Sequence, residues 1–253
     1  MEIKVNNILF KSNEINGVIG TYDLFINAFK KVDFDSNNIY INKKRLTKKE
    51  KRDLFKTISI VMDDIPNNYY GNTVYSFMKF YILENSLVIK DYRKKIKDSL
   101  KIVGLNNYEN KIISTLSTLE VKLVLFATSL LSNPNIIILD KFFDCFDLKY
   151  RKKTMDLLNQ LVDKYKKVVI ICSNNSEFIY KYTKNLICFS NDNLLMQGDT
   201  NTLFEENTLK LMNNSINIPK TILFTNLVLE KKNIKLNYNK DIRDLIKDIY
   251  KKV

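Results

Sequence analysis

The sequence predicts an α/β fold built on a mostly parallel sheet, and three observations predict it. Residues 135–140 (NIIILD) and 168–172 (VVIIC) are short runs with almost no polar position, as strands buried on both faces are. Between them, residues 149–165 carry apolar side chains at helical spacing. Strand and helix then keep alternating to about residue 200, the pattern of right-handed crossovers in one sheet.

The other elements follow in order. Residues 3–10 and 14–19 read as short strands, and the second runs apolar until it halts at Gly20. From Tyr22 to Val32, Leu24, Phe25, Ala28 and Phe29 recur at helical spacing. Ile39, Tyr40 and Ile41 make a short strand, 43–51 is a charged surface helix or loop, and 57–62 is a buried strand. Pro66, Gly71 and several Asn make 63–72 a loop. Helices follow over 73–84 and 92–103, and a long apolar one over 117–132 ends at Asn133-Pro134. The tail beyond 208 is helical and Lys-rich.

Composition bounds the function. The 253 residues, 45% hydrophobic and 27% charged, support a sizeable core. The net charge of +13 suits an anionic partner, nucleic acid or a membrane face. Only five basic residues are Arg (45, 52, 93, 151, 243), and there is no His or Trp, which is the imprint of an AT-rich genome. Specific base readout leans on Arg, so no specific nucleic acid is expected. Without His, imidazole acid–base chemistry is excluded, and Cys145, Cys172 and Cys188 lack metal spacing, so no metal site is expected. No run approaches the roughly 18–20 apolar residues of a spanning helix.

Eight stretches in one order carry a family resemblance. Residues 14–20 (EINGVIG) match a strand leading into a phosphate loop. Residues 59–74 (SIVMDDIPNNYYGNTV) match a Q-loop region, and 103–109 hold the VGL and YE elements. Residues 116–134 match a signature helix, 135–147 (NIIILDKFFDCFD) a Walker B strand with D-loop, and 169–175 (VIICSNN) a switch strand. NLLMQGD at 193–199 and INIP at 216–219 complete the series. The chain thus resembles the ATP-binding-cassette (ABC) subunits of transporters, and among them the ATPases of energy-coupling-factor (ECF) importers. The resemblance implies a P-loop NTPase-like cassette over 1–215, with a helical subdomain inserted at about 70–120. It implies a C-terminal helical extension over 216–253.

The chemistry such a cassette needs is mostly absent. A phosphate loop G-x-x-x-x-G-K-[ST] wraps backbone N–H groups around phosphates. After Gly20 the chain runs Thr21-Tyr22-Asp23, with no further Gly and no Gly-Lys, and Asp23 puts a carboxylate where phosphate should sit. Asp140 stands at the Walker B Asp, but the catalytic Glu position holds Lys141, which cannot serve as that base. Asp63 occupies the Q-loop Gln position and Asn174 the switch His position. The signature reads Leu116-Ser117-Thr118-Leu119-Glu120, which keeps Ser117 and loses both glycines; Asp147 is retained in the D-loop. Gly20, Ser117, Asp140 and Asp147 are therefore the residual nucleotide candidates, and no catalytic residue is intact.

The resemblance implies a transmembrane ECF-type subunit and a second cassette as partners, at the cytoplasmic face of the membrane. Tyr69, Tyr70 and Phe77 are the docking candidates, because aromatics suit a helix laid in a groove. ATP and Mg belong to the complex, with none expected on this chain alone. Two alternatives stay open: a weakly active ATPase in a heterodimer, and a freestanding protein that binds nucleic acid through its basic tail.

Overall fold

The computed structural model describes residues 2–29, 38–55, 57–61 and 65–252. They form two compact units, Met1–Leu46 with Ile171–Val253, and Thr47–Ile170.

The first unit opens with strands β1 (Glu2–Val5), β2 (Ile8–Lys11) and β3 (Ile15–Gly20), then helix α1 (Asp23–Ala28) and strands β4 (Ile39–Ile41) and β5 (Lys44–Arg45). The second unit holds α2 (Lys48–Phe55), β6 (Ile58–Val61), α3 (Val74–Glu84), α4 (Tyr92–Ile102), α5 (Thr118–Leu130), β7 (Ile136–Asp140) and α6 (Leu148–Asp163). Strand β8 (Val168–Cys172) begins in the second unit and ends in the first. The first unit continues with α7 (Ser176–Tyr182), β9 (Asn185–Ser190), β10 (Asn193–Asp199), α8 (Thr200–Glu206), α9 (Thr208–Asn213), α10 (Lys220–Lys232) and α11 (Ile242–Lys252).

In the first unit an antiparallel sheet runs β2-β1-β4-β5, and β3 pairs parallel to β9, which pairs antiparallel to β10. Residues 3–10, read as one strand, are two. Asn6 takes a left-handed φ of 51° and turns β1 back on β2, so that Ile3 faces Phe10. Phe10, Phe25, Phe29 and Phe189 pack ring against ring at 5.1–6.2 Å and fix α1 to the strands beneath it.

In the second unit β6 and β7 are parallel, with Ile58 opposite Ile136 and Val61 opposite Leu139. Val168 N–H then donates to the Asn135 carbonyl, which starts β8. Helices α3, α4 and α5 bury Met78, Ile82, Ile96, Leu100 and Phe126. Short polar side chains start the helices: Thr73 accepts from Ser76 N–H, and Asp91 accepts from Lys94 N–H.

Glycine is scarce, so most left-handed turns use other residues. Asn6, Asn42, Asn107, Asn133, Asn191 and Asn233 all have φ between 47° and 61°. Asn tolerates this region better than other non-glycine residues. Gly20 is different. Its φ is 102°, and a Cβ there would collide with the Phe189 carbonyl oxygen of β9. Gly20→Ala is expected to cost about 3 kcal/mol or more, from backbone strain plus overpacking. Gly71→Ala, where a Cβ meets nothing within 4 Å, should change stability by less than about 1 kcal/mol. Urea unfolding of the two variants checks the contrast.

Candidate functional site

The end of β3 is where a phosphate loop would begin. Only Thr21 and Tyr22 separate Gly20 from α1, and Tyr22 is buried. The cap of this helix is borrowed. Tyr22 is the N-cap residue and makes no side-chain cap bond. Instead Asp192, in the β9–β10 turn, accepts from Leu24 N–H at 3.3 Å. Its own N–H donates to the Thr21 hydroxyl at 3.0 Å. Asp23 stays in the first turn and is exposed. Two carboxylates of the chain thus occupy the helix end that favours anions. Gly20 N–H is also engaged, by the Asn174 side-chain oxygen at 2.9 Å. Gly20 and Asn174 are the two sequence-selected residues that meet within the first unit. Asp192 was not legible, because nothing local in a turn 169 residues downstream marks it as a partner of α1.

In the second unit, Ser117 caps α5. Its hydroxyl accepts from Glu120 N–H at 3.3 Å, and the Glu120 carboxylate accepts from Ser117 N–H and its hydroxyl, both at 2.8 Å. The Tyr108 hydroxyl donates to the other oxygen of Glu120. Lys111 lies 4.0 Å from that oxygen and 3.7 Å above the Tyr108 ring. Burial alone raises the Glu120 pKa, but these hydrogen bonds and the Lys111 charge outweigh it and hold the carboxyl below its ordinary value. The position that is glutamine in LSGGQ here closes a capping box.

Asp140 ends β7, half-buried, and Lys141 follows in a left-handed conformation (φ 47°), exposed. The next residues fold inward. Phe142, Phe143 and Phe146 are at most 4% exposed, and Phe142 packs on Phe126, Phe143 and Phe146 at 4.8–5.5 Å. Beyond Lys141 this segment is an aromatic plug. Asp147 caps α6 by accepting from Tyr150 N–H at 2.8 Å.

The docking aromatics divide. Tyr69 and Tyr70 are half-buried on the loop before α3. Phe77 is 4% exposed, with its ring edge against Tyr69 at 5.4 Å. The sequence offers Phe77 as a docking residue, but it stands on the inner side of α3 and packs beneath Tyr69. Asp63 lies outside the described residues.

Parallel strands flanked by helices, with an antiparallel sheet at the N-terminus and a helical segment between β6 and β7, define an ATP-binding-cassette fold of the P-loop α/β class. CbiO1 of Clostridium perfringens, part of the ABC transporter complex cbiONQ, superposes with a TM-score of 0.64 at 22% identity, over 85% of this chain and 87% of that one. The family described as ABC transporter matches residues 24–143. An ABC transporter ATP-binding protein of Pyrococcus furiosus is 30% identical over 184 residues, 72% of this chain and 67% of the relative. The energy-coupling factor transporter ATP-binding protein EcfA2 of Acetivibrio thermocellus is 25% identical over 207 residues, 79% of this chain and 73% of the relative. The chain belongs to the ABC transporter ATP-binding family. It spans 63% of the length of the zinc import ATP-binding protein ZnuC of Ehrlichia ruminantium, to which it is 29% identical over 154 residues.

Cassettes of this family bind ATP with Mg. The residues between Gly20 and α1 do not fit a triphosphate: the loop is two residues long, the Gly20 N–H that leads into it is taken by Asn174, and Asp23 and Asp192 stand at the helix end.

Replacing Glu120 by Ala removes half a capping box and the Tyr108 bond, and should cost about 1–2 kcal/mol at pH 7. The folded-state pKa of Glu120 is lowered. Its contribution is therefore complete above the unfolded-state value and fades as pH falls through the lowered one. Chemical unfolding of wild type and variant across acid pH should show the gap closing on acidification.

Proposed function

We propose that this chain is a non-hydrolysing cassette, a pseudoenzyme subunit of an ECF-type ABC importer. In this reading it couples or scaffolds the membrane component and pairs with an active cassette. The observation that carries it is the start of α1, where Asn174 accepts from Gly20 N–H, Asp192 accepts from Leu24 N–H and Asp23 stands in the first turn. Each carboxylate at that helix end is stabilised by about 0.3–1 kcal/mol at the surface, and a phosphate brought there would meet like charge. The lost transition-state groups weigh more. A missing Lys clamp, and Lys141 in place of a catalytic carboxylate, would each remove several kcal/mol of barrier lowering.

Related energy-coupling-factor ATP-binding proteins work with membrane subunits, and cassettes of the family dimerise. Residues 1–215 serve here as the cassette, with about 70–120 as its inserted helical part and 216–253 as its extension. Among the described residues no helix is long and apolar enough to cross a membrane. In this reading the chain meets the docked subunit at the cytoplasmic face of the membrane, with Tyr69 and Tyr70 on the contact loop.

Two measurements test this. Titration calorimetry of the chain with ATP and Mg at millimolar nucleotide should give no binding heat; micromolar binding would overturn the dead-site reading. The same titration on a co-purified pair of cassettes locates any surviving site on the partner. Separately, Tyr70→Asp should reduce recovery of an ECF-type membrane subunit in co-expression pull-downs at least tenfold, with the melting temperature unchanged. Undiminished recovery removes the loop from the interface.

A further inference from the structure

Helix α11 (IRDLIKDIYKK) is anchored on one side only. Leu245 is buried, and the Asp248 carboxylate accepts from Asn237 N–H at 2.6 Å and from the Asn237 amide at 3.0 Å. Lys252 closes this face, 3.4 Å from Asp248 and donating to the Lys235 carbonyl. Each residue turns the helix by about 100°. Ile242, Ile246 and Tyr250, four apart, therefore form one row beside the anchored face. They are 64%, 45% and 85% exposed. Arg243, Lys247 and Lys251 each follow one residue later and form a parallel basic row.

The acidic groups near that row do not cancel it. Arg243 is held by Asp241 through two hydrogen bonds of 3.0 and 2.9 Å, and Lys181 also reaches Asp241 at 3.7 Å. Lys247 meets Asp244 at 3.0 Å. The Arg243 and Lys247 side chains are 81% and 71% exposed, so water and salt screen both pairs and leave them weak. Residues 216–253 carry nine basic side chains against four acidic ones.

An aliphatic and aromatic row flanked by a basic row is the pattern of a helix lying in the head-group region of an anionic bilayer. A second copy is the poorer occupant. Antiparallel pairing along the apolar row would set one basic row against the other, at a cost in like-charge contact. A bilayer with anionic head groups takes both rows at once.

We propose that α11 is an interfacial helix through which this chain lies on an anionic lipid bilayer. The contact uses Ile242, Ile246 and Tyr250 inserted among acyl chains, with Arg243, Lys247 and Lys251 on lipid phosphates. It stands apart from the nucleotide reading, so either can fail without the other.

The test is co-sedimentation of the full chain with phosphatidylcholine vesicles, with and without phosphatidylglycerol. Binding is expected only with the anionic lipid and should fall on raising salt. Ile246→Asp with Tyr250→Asp, and separately Lys247→Glu with Lys251→Glu, should each weaken it at least about tenfold. All four side chains point to solvent, and a melt matching wild type verifies that each variant folds. Leu209→Asp, exposed elsewhere on α9, should bind as wild type does. Failure of wild type to sediment with anionic vesicles overturns the proposal, as does unaltered binding by both α11 variants. A stable wild-type dimer that Ile246→Asp with Tyr250→Asp converts to monomer also overturns it, by showing that a second copy covers the row.

Discussion

The packing at Gly20 is the constraint on which the first unit turns. The strand β3 arrives beside β9 so closely that no side chain fits over the Phe189 carbonyl. Its last N–H is then satisfied by Asn174, which follows β8. This joins the ends of three strands at one point. The bond lies at the surface, where water competes for the same N–H, and a typical net contribution is about 0.5–1.5 kcal/mol. In this chain the acceptor is a side chain of its own, and α1 begins two residues later.

The same economy recurs at the other motif positions. Glu120 and Ser117 satisfy one another, with Tyr108 and Lys111 closing the group from outside. Asp147 spends an oxygen on the first turn of α6. After Lys141 the chain buries three phenylalanines. Polar groups that could face a ligand are instead satisfied internally, and each such bond contributes modestly to stability, about 1 kcal/mol. A fold can hold its shape on such contacts with no ligand present.

Much of this was legible in the sequence, for a physical reason. Strands β7 and β8 are apolar at nearly every position, α4 and α6 have clear periodicity, and α3 to α6 all start at polar N-caps, so local pattern and tertiary burial agree. The hairpin of β1 and β2 was not separable, because its turn is Asn6-Asn7 rather than a glycine pair. At the candidate site, the shortened loop and the replaced residues could be read directly. The borrowed cap from Asp192 and the bond from Tyr108 to Glu120 could not, because they join residues distant in sequence or apart on different elements. Phe77 misled for a related reason: an aromatic residue on a helix after an exposed loop looks the same from the sequence whether it faces out or in, and here it faces in.

The asparagine turns lead to a question of codons. Glycine is spelled with two guanines, asparagine mostly with adenine, and a genome drifting toward A and T exchanges one for the other. A turn survives that exchange, because Asn reaches the left-handed region with little strain, as six of them do here. A cradle for phosphate does not survive it, because its glycines are there to let a ligand come within touching distance of bare backbone, and any Cβ occupies that space. The left-handed turns of a cassette therefore tolerate that exchange, whereas a loop whose function depends on having no side chains does not.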